Sequence, residues 1–176
     1  MNVLLAQFQH YARQWPDEED TRHFVDLLAT GQQAFARESL AAHFTGSAWL
    51  LSADGERVLL THHRKLGRWL QLGGHADGDT DLARVALREA EEESGLEGLR
   101  VLPEPFDLDR HRIPARGDEP EHWHYDVRYV VRAGANERFV LSEESNALAW
   151  CSVREIADVP ASDVSLRRMA HKWLLR

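Results

Sequence analysis

Cysteine is almost missing from this chain: Cys151 stands alone among 176 residues. An intrachain disulfide is excluded, and the reducing cytoplasm is the expected compartment. No apolar run approaches the roughly 20 residues that a membrane-spanning helix needs. The opening MNVLLAQFQHYARQW has neither a basic start nor an unbroken apolar stretch, so neither a signal peptide nor a membrane partner is expected. Lysine is nearly as scarce, Lys65 and Lys172 being the whole supply, and arginine carries most of the positive charge. The net charge of −8 speaks against broad, nonspecific nucleic-acid binding, while a metal-bridged phosphate compound remains compatible with it. What is present, 43% hydrophobic and 28% charged residues, describes one globular domain with a substantial core.

Leu4, Leu5, Phe8, Tyr11, Ala12 and Trp15 recur at helical spacing and predict a helix over residues 2–15. Pro16 restarts the chain into a second predicted helix that reaches Thr30, with Phe24, Leu27 and Leu28 inward and Gly31 as its stop. These elements make residues 1–42 a helical N-terminal extension, expected to cover one flank of the main domain at 43–176. From Phe44 the period changes to two. Strands are predicted at 45–52 and 57–63, joined by the turn Ala53-Asp54-Gly55, then at 68–71, 99–102, 106–113, 122–132, 139–141 and 147–152. A short helix at 153–157 and a final helix capped by Asp163 follow. The order predicts an α/β protein with a mixed sheet packed by helices.

The densest chemistry lies at 73–96, GGHADGDTDLARVALREAEEESGL. Leu82 to Ser94 reads as a helix with Asp81 as N-cap and Gly95 just past its end. Glu89, Glu92 and Glu93, at i, i+3 and i+4, share one face, where like charges repel unless a cation joins them. Magnesium suits such a place, because it takes oxygen ligands and is usually held by carboxylates together with substrate phosphates.

This stretch resembles the Nudix box, G-x5-E-x7-R-E-U-x-E-E-x-G-U, with U bulky and apolar. Gly74, Arg88, Glu89, Glu92, Glu93, Gly95 and Leu96 match; Thr80 replaces the first Glu, Ala90 is small for its position, and Leu72 replaces the common Pro. The resemblance covers roughly residues 44–157. It implies a Nudix-like α/β/α sandwich with a mixed β-sheet, here with the helical segment added in front. It also implies hydrolysis of a pyrophosphate linkage in a nucleoside diphosphate joined to another group X. Mg²⁺ or Mn²⁺ would be held by Glu89, Glu92 and Glu93 and by the Gly74 carbonyl, with Glu92 and Glu93 the principal ligands. The partner implied is a small phosphorylated or nucleotide substrate, and a homodimer is compatible with the family. The general base is expected at Glu144, in LSEESNALAW beside Glu143, with Glu93 the next choice.

Other residues carry less specific signals. His62, His63 and Arg64, with Lys65, form a basic turn ahead of the box, and His75 directly follows Gly74. These three and His75, together with His124, are candidate substrate contacts; an exposed basic turn that balances the acidic loop is an equal reading of the first group. His122 and His124 alternate on one strand and with Asp126 make a candidate zinc site, against the commoner reading of hydrogen-bonded histidines. With Thr80 uncharged, Arg88 is expected to pair with Asp79, or with Asp77, as a structural ion pair. Two further functions stay open: a ligand-binding module without catalysis, disfavoured by the intact glutamates, and a zinc-dependent enzyme built on His122 and His124. The isopentenyl diphosphate isomerase branch, which uses a catalytic cysteine, is set aside because Cys151 falls far downstream in an expected strand.

Overall fold

The computed structural model describes residues 1–117, 119–141, 145–159 and 162–176. Its first elements are α1 (Asn2–Gln14), α2 (Thr21–Ala29) and a single 3₁₀ turn at Gln32–Phe35. Strands β1 (Ala42–Leu51), β2 (Arg57–His63), β3 (Trp69–Leu70) and β4 (Leu72–His75) lead into α3 (Leu82–Ser94). Then come β5 (Arg100–Ile113), β6 (His122–Arg132), β7 (Ser145–Ser152), α4 (Val153–Asp158) and α5 (Val164–Leu174). No helix is long and apolar enough to cross a membrane among the described residues.

The sheet is mixed, in the order β3-β2-β1-β6-β5, with β4 also on β1 and β7 also on β2. β1 and β6 run parallel through the middle, paired from Ala42↔Trp123 to Leu51↔Arg132. β1 is buried along nearly its whole length, as befits a strand covered on both faces. Phe44, Gly46, Ala48 and Leu50 alternate with Trp49 and Leu51, and each set meets a different helical layer. On one face α3 approaches so closely that a Cβ on Gly46 would lie 2.9 Å from the Leu82 carbonyl oxygen. On the other, Trp49, Leu51, Val130 and Phe106 pack with Val153 and Ile156 of α4 and Leu166 and Met169 of α5. The expected α/β/α sandwich is the fold observed.

β1 and β2 meet only at Leu51↔Val58 before they diverge. Residues 69–75 fill the split, pairing first with β2 (Thr61↔Leu70) and then with β1 (Ser47↔Gly73, Thr45↔His75). This crossing segment puts the two glycines of the box beside α3.

The N-terminal helices share the core of the sheet. Phe8 and Phe24 meet edge to face at 5.7 Å, and Phe24, Phe35 and Phe44 continue the ring cluster down to Val85 and Ala86 of α3. Beside them lies a buried ion network. Arg128, 2% exposed, donates from Nε to Asp126 (2.8 Å) and from Nη1 to Asp107 (3.1 Å). Asp107 also accepts from Arg168 (2.7 and 2.9 Å) and from Lys172 (2.7 Å), whose Nζ reaches Glu18 at 2.6 Å. Burial alone would push the Asp107 carboxyl up, yet these cations hold it below the usual carboxylate range. The network ties α5 and the α1–α2 connection to β5 and β6.

Four expectations change. α2 starts at Thr21, because residues after Pro16 form turns first. The strands predicted at 99–102 and 106–113 are one strand, β5, with register shifts around Pro105; it is an edge strand, where proline is tolerated. Residues 139–141 form no strand; the Val140 N–H instead bonds the Ser94 carbonyl at 2.7 Å, sealing the end of α3. β4 is a strand absent from the expectations, since a Gly-Gly pair carries no strand signal, yet Gly73 and Gly74 pair with Ser47 and Gly46 of β1.

Candidate active site

α3 forms over its expected residues for local reasons. The Asp81 side chain accepts from the Arg84 N–H at 3.1 Å, and Gly95 closes the helix in the left-handed region at φ +65°. Val85, Ala86 and Ala90 are buried, which fixes the rotation of the helix, and Glu89 and Glu93 are carried onto β4. Glu92 is exposed. Glu93 is only 7% exposed, and its Oε1 accepts the Gly73 N–H at 2.8 Å. The Glu89 carboxylate lies against the Gly74 backbone: a Cβ there would come within 2.4 Å of Oε2. Glycine at 74 therefore makes a cradle that any larger residue would fill. Two carboxylates against this backbone, with Glu92 exposed on the same helix, suit a hard, oxygen-binding divalent cation.

The loop of the box is held from the N-terminal side. The Gly78 N–H donates to the Phe35 carbonyl (2.7 Å), and Gln32 Nε2 donates to the Gly78 carbonyl (2.8 Å). Asp77 takes φ +48°, a backbone state rare outside glycine, asparagine and aspartate, and Arg37 lies 3.4 Å from its carboxylate.

Arg88 pairs differently from the expectation. Its Nη2 donates to Glu89 Oε1 at 2.8 Å and to the His75 carbonyl at 3.1 Å. Asp79 is instead bound by Arg84 through Nε (2.9 Å) and Nη2 (2.7 Å), and it also accepts the Asp81 N–H at 2.9 Å. Arg84 lies one turn nearer the loop, which decides the contest. Its bonds hold the Asp79 carboxyl below the usual range, while donation to Glu89 raises the Arg88 guanidinium.

A second feature is a cluster of imidazoles. His43 on β1 is the register partner of His124 on β6, which in turn faces His111 on β5. His75, at the end of β4, closes the group: the His43, His75 and His124 rings lie 4.8–5.2 Å apart. Ligand atoms from these three all fall within 4.8 Å of one another. Burial lowers His43, takes His75 to about 4 and takes His124 to about 2, the neighbouring cations and imidazoles adding to the effect for His75 and His124. All three are neutral near pH 7.

The zinc site expected from His122, His124 and Asp126 is corrected. The Asp126 carboxylate, 2% exposed, already accepts from Thr45 (3.0 Å), Ser47 (2.7 Å), Gln71 (3.2 Å) and Arg128 (2.8 Å). His122 sits behind His124, Nε2 to Nε2 at 3.1 Å, with its Nδ1 on the Pro120 carbonyl at 2.9 Å. His43 and His75 take their places beside His124; only the parallel pairing of β1 with β6, invisible in local sequence, brings His43 there.

The basic turn has contacts of its own. His62 packs edge-on against Trp69 (5.4 Å) and meets Asn146 (3.3 Å); His63 Nδ1 accepts the Lys65 N–H (3.2 Å), and Arg64 is exposed. Glu143 and Glu144 lie outside the described residues. Cys151 is half-buried on β7, opposite Val58, with burial raising its thiol.

Comparison with known proteins adds the following. A family model described as NUDIX domain matches residues 43–173. Two curated proteins, each called putative 8-oxo-dGTP diphosphatase 3, from two Mycobacterium tuberculosis strains, are 32% identical over 114 residues. That match takes in 61% of this chain and 50% of theirs, so the chain spans about half the length of these relatives. Among solved structures, a NUDIX-family hydrolase from Clostridium perfringens superposes with TM-score 0.60 at 24% identity, over 76% of this chain and 97% of that one. A Caenorhabditis elegans Ap4A hydrolase binary complex superposes with TM-score 0.57 at 16% identity, over 75% and 95%. At these identities the superpositions speak for the fold.

Proposed function

The chain belongs to the Nudix family, and we propose that it hydrolyses a pyrophosphate linkage in a nucleoside diphosphate joined to another group. The observation that carries this reading is the placement of Glu89 and Glu93 against the Gly73-Gly74 backbone, where a Cβ at 74 would strike Glu89 at 2.4 Å and the Gly73 N–H donates to Glu93, with Glu92 exposed beside them on the same helix. In the reaction, water attacks one phosphorus, the bridging oxygen leaves with the other phosphate, and the water surrenders its proton. Attack on such an anion is slow unaided, because the substrate repels the electron pair of the nucleophile.

Glu92, Glu93 and Glu89, with the Gly74 carbonyl, would hold Mg²⁺ or Mn²⁺, which supplies charge neutralisation of the diphosphate and a more acidic bound water. The chain prepares these ligands in advance. The Gly73 N–H fixes the rotation of Glu93, and the Arg88 guanidinium fixes Glu89 while tying it to the His75 carbonyl. Preorganised groups of this kind need no rearrangement as charge develops on the phosphate. The proton acceptor is proposed as Glu144, from its place in sequence alone. The names of the relatives, an 8-oxo-dGTP diphosphatase and an Ap4A hydrolase, support a nucleotide as the substrate.

The test is a phosphate-release screen across damaged nucleoside triphosphates, dinucleoside polyphosphates, nucleotide sugars and dinucleotide cofactors, with Mg²⁺ or Mn²⁺. On the best substrate, Glu92→Gln and Glu93→Gln should each lower turnover by about 10² or more, in line with the loss of one transition-state charge contact. Wild-type turnover in either variant sinks the assignment.

A further inference from the structure

We infer that His43, His75 and His124 form a binding site for one zinc-class transition ion, distinct from the carboxylates of the box. The inference stands on imidazole geometry and is independent of the hydrolase reading.

Three observations carry it. First, the three residues come from three strands, β1, β4 and β6, and their ligand atoms already lie within 4.8 Å of one another. Tetrahedral zinc at about 2.0–2.1 Å from each nitrogen needs the nitrogens about 3.3 Å apart, so side-chain rotations that close roughly 1.5 Å complete the site. Second, His43 is 2% exposed, and its Nε2 has no hydrogen-bond partner among the described residues. Its Nδ1 lies 3.2 Å from the Ser39 carbonyl, which can only accept; the proton is therefore on Nδ1, and Nε2 presents a lone pair. A buried lone pair with nothing to accept is costly unless something fills the place. Third, one of the rings is supported from behind as a ligating histidine is: His124 leans on His122, Nε2 to Nε2 at 3.1 Å, and His122 is anchored to the Pro120 carbonyl at 2.9 Å.

The donor set decides the class of ion. Neutral imidazoles without a carboxylate suit zinc and its neighbours, whereas magnesium and calcium seek oxygen. Three protein ligands leave a fourth position for water or an anionic oxygen. One group opposes entry: Arg37 Nη2 donates to His75 Nδ1 at 2.6 Å. Arg37 is exposed and lies 3.4 Å from Asp77, so it has another partner to turn to when an ion binds.

The experiment strips the full chain with a chelator and titrates it with Zn²⁺ by calorimetry and with Co²⁺ by visible absorption. The wild type should take up one Zn²⁺ per chain, give the strong bands of tetrahedral, nitrogen-ligated Co²⁺, and melt at a higher temperature with Zn²⁺, since the ion joins three strands only in the folded state. His124→Ala and the half-exposed His75→Ala should weaken Zn²⁺ by more than the about 10–100-fold that loss of an outer partner costs. His43→Ala should do the same, with its own melt checking that the buried position still folds. Glu92→Gln should keep the Zn²⁺ and the Co²⁺ bands, and Arg37→Ala should bind Zn²⁺ more tightly. The inference is overturned by a wild type that binds no Zn²⁺, by Zn²⁺ that survives His75→Ala and His124→Ala but is lost in Glu92→Gln, or by weaker binding in Arg37→Ala.

Discussion

Adding one methyl group at each of the two glycines of β4 should separate stability from function. At Gly74 a Cβ would lie 2.4 Å from Glu89 Oε2 and 2.6 Å from its carboxyl carbon. An ordinary carbon–oxygen contact is about 3.3 Å, so the carboxylate must retreat by about 1 Å. It is the far end of a flexible side chain and can do so. The fold loses part of the Arg88–Glu89 bond, about 0.5–1.5 kcal/mol, and regains about 0.5–1 kcal/mol by exchanging a strand glycine for alanine. Gly74→Ala should therefore melt within about 1 kcal/mol of wild type. A displacement of about 1 Å at this carboxylate, proposed above to hold the metal, is however enough to lower turnover by about 10²-fold. At Gly73 the Cβ would strike Ser47, at 2.2 Å from Oγ and 2.8 Å from Cα. A backbone atom cannot step aside, so Gly73→Ala should lose about 1–3 kcal/mol as an overpacked strand pair. Thermal melts, a Mn²⁺ titration and the phosphate-release assay read all three quantities. Full Mn²⁺ affinity and full turnover in Gly74→Ala would falsify the cradle, as would a loss of stability equal to that of Gly73→Ala.

Three other outcomes follow from the ion pairs. Asp79→Asn should cost no more than about 1 kcal/mol in urea melts, because its partner Arg84 is 68% exposed and solvent screens the pair; a loss above about 2 kcal/mol would contradict the pairing seen. Asp107→Asn should cost about 3–5 kcal/mol by the same assay, since it leaves Arg128 and Lys172 buried with too few acceptors; a near-neutral result would show that water enters this network. Asp107 and Asp109 both have carboxyls held below the usual range, against the push of burial, by Arg128 and Arg168. Their contribution is thus complete above the unfolded-state value of about 4 and fades as pH falls toward the folded values. Melting temperature should drop steadily below about pH 4, and Asp109→Asn should flatten that slope.

Local signals in the chain announce local structure. Asp81 and Gly95 bound α3, Asp163 caps α5 with bonds to the Ser165 and Leu166 N–H groups, and Ala53-Asp54-Gly55 makes its turn, all within a few residues of the cause. The box glutamates were legible for the same reason, since one helix carries them. What escaped is what the sheet assembles. His43 precedes His124 by a long stretch of sequence and meets it only because β1 and β6 run side by side. Asp126 shares a strand face with His122 and His124, as alternation requires, yet three hydroxyl and amide donors from β1 and the residue before β4 claim its carboxylate. Arg88 lost Asp79 to Arg84 through the geometry of a single turn, a contest that a count of charges does not settle.

The ring cluster of Phe8, Phe24, Phe35 and Phe44 crosses the edge of the region that matches the family. The family match begins at residue 43, while these rings and the Phe35–Gly78 bond join the preceding helices to α3 and to the loop of the box. Excising the chain at the edge of the shared region would strip an aromatic surface bare and untether the loop that leads into α3. The helices that precede the shared region are packed into the foundation on which the box rests.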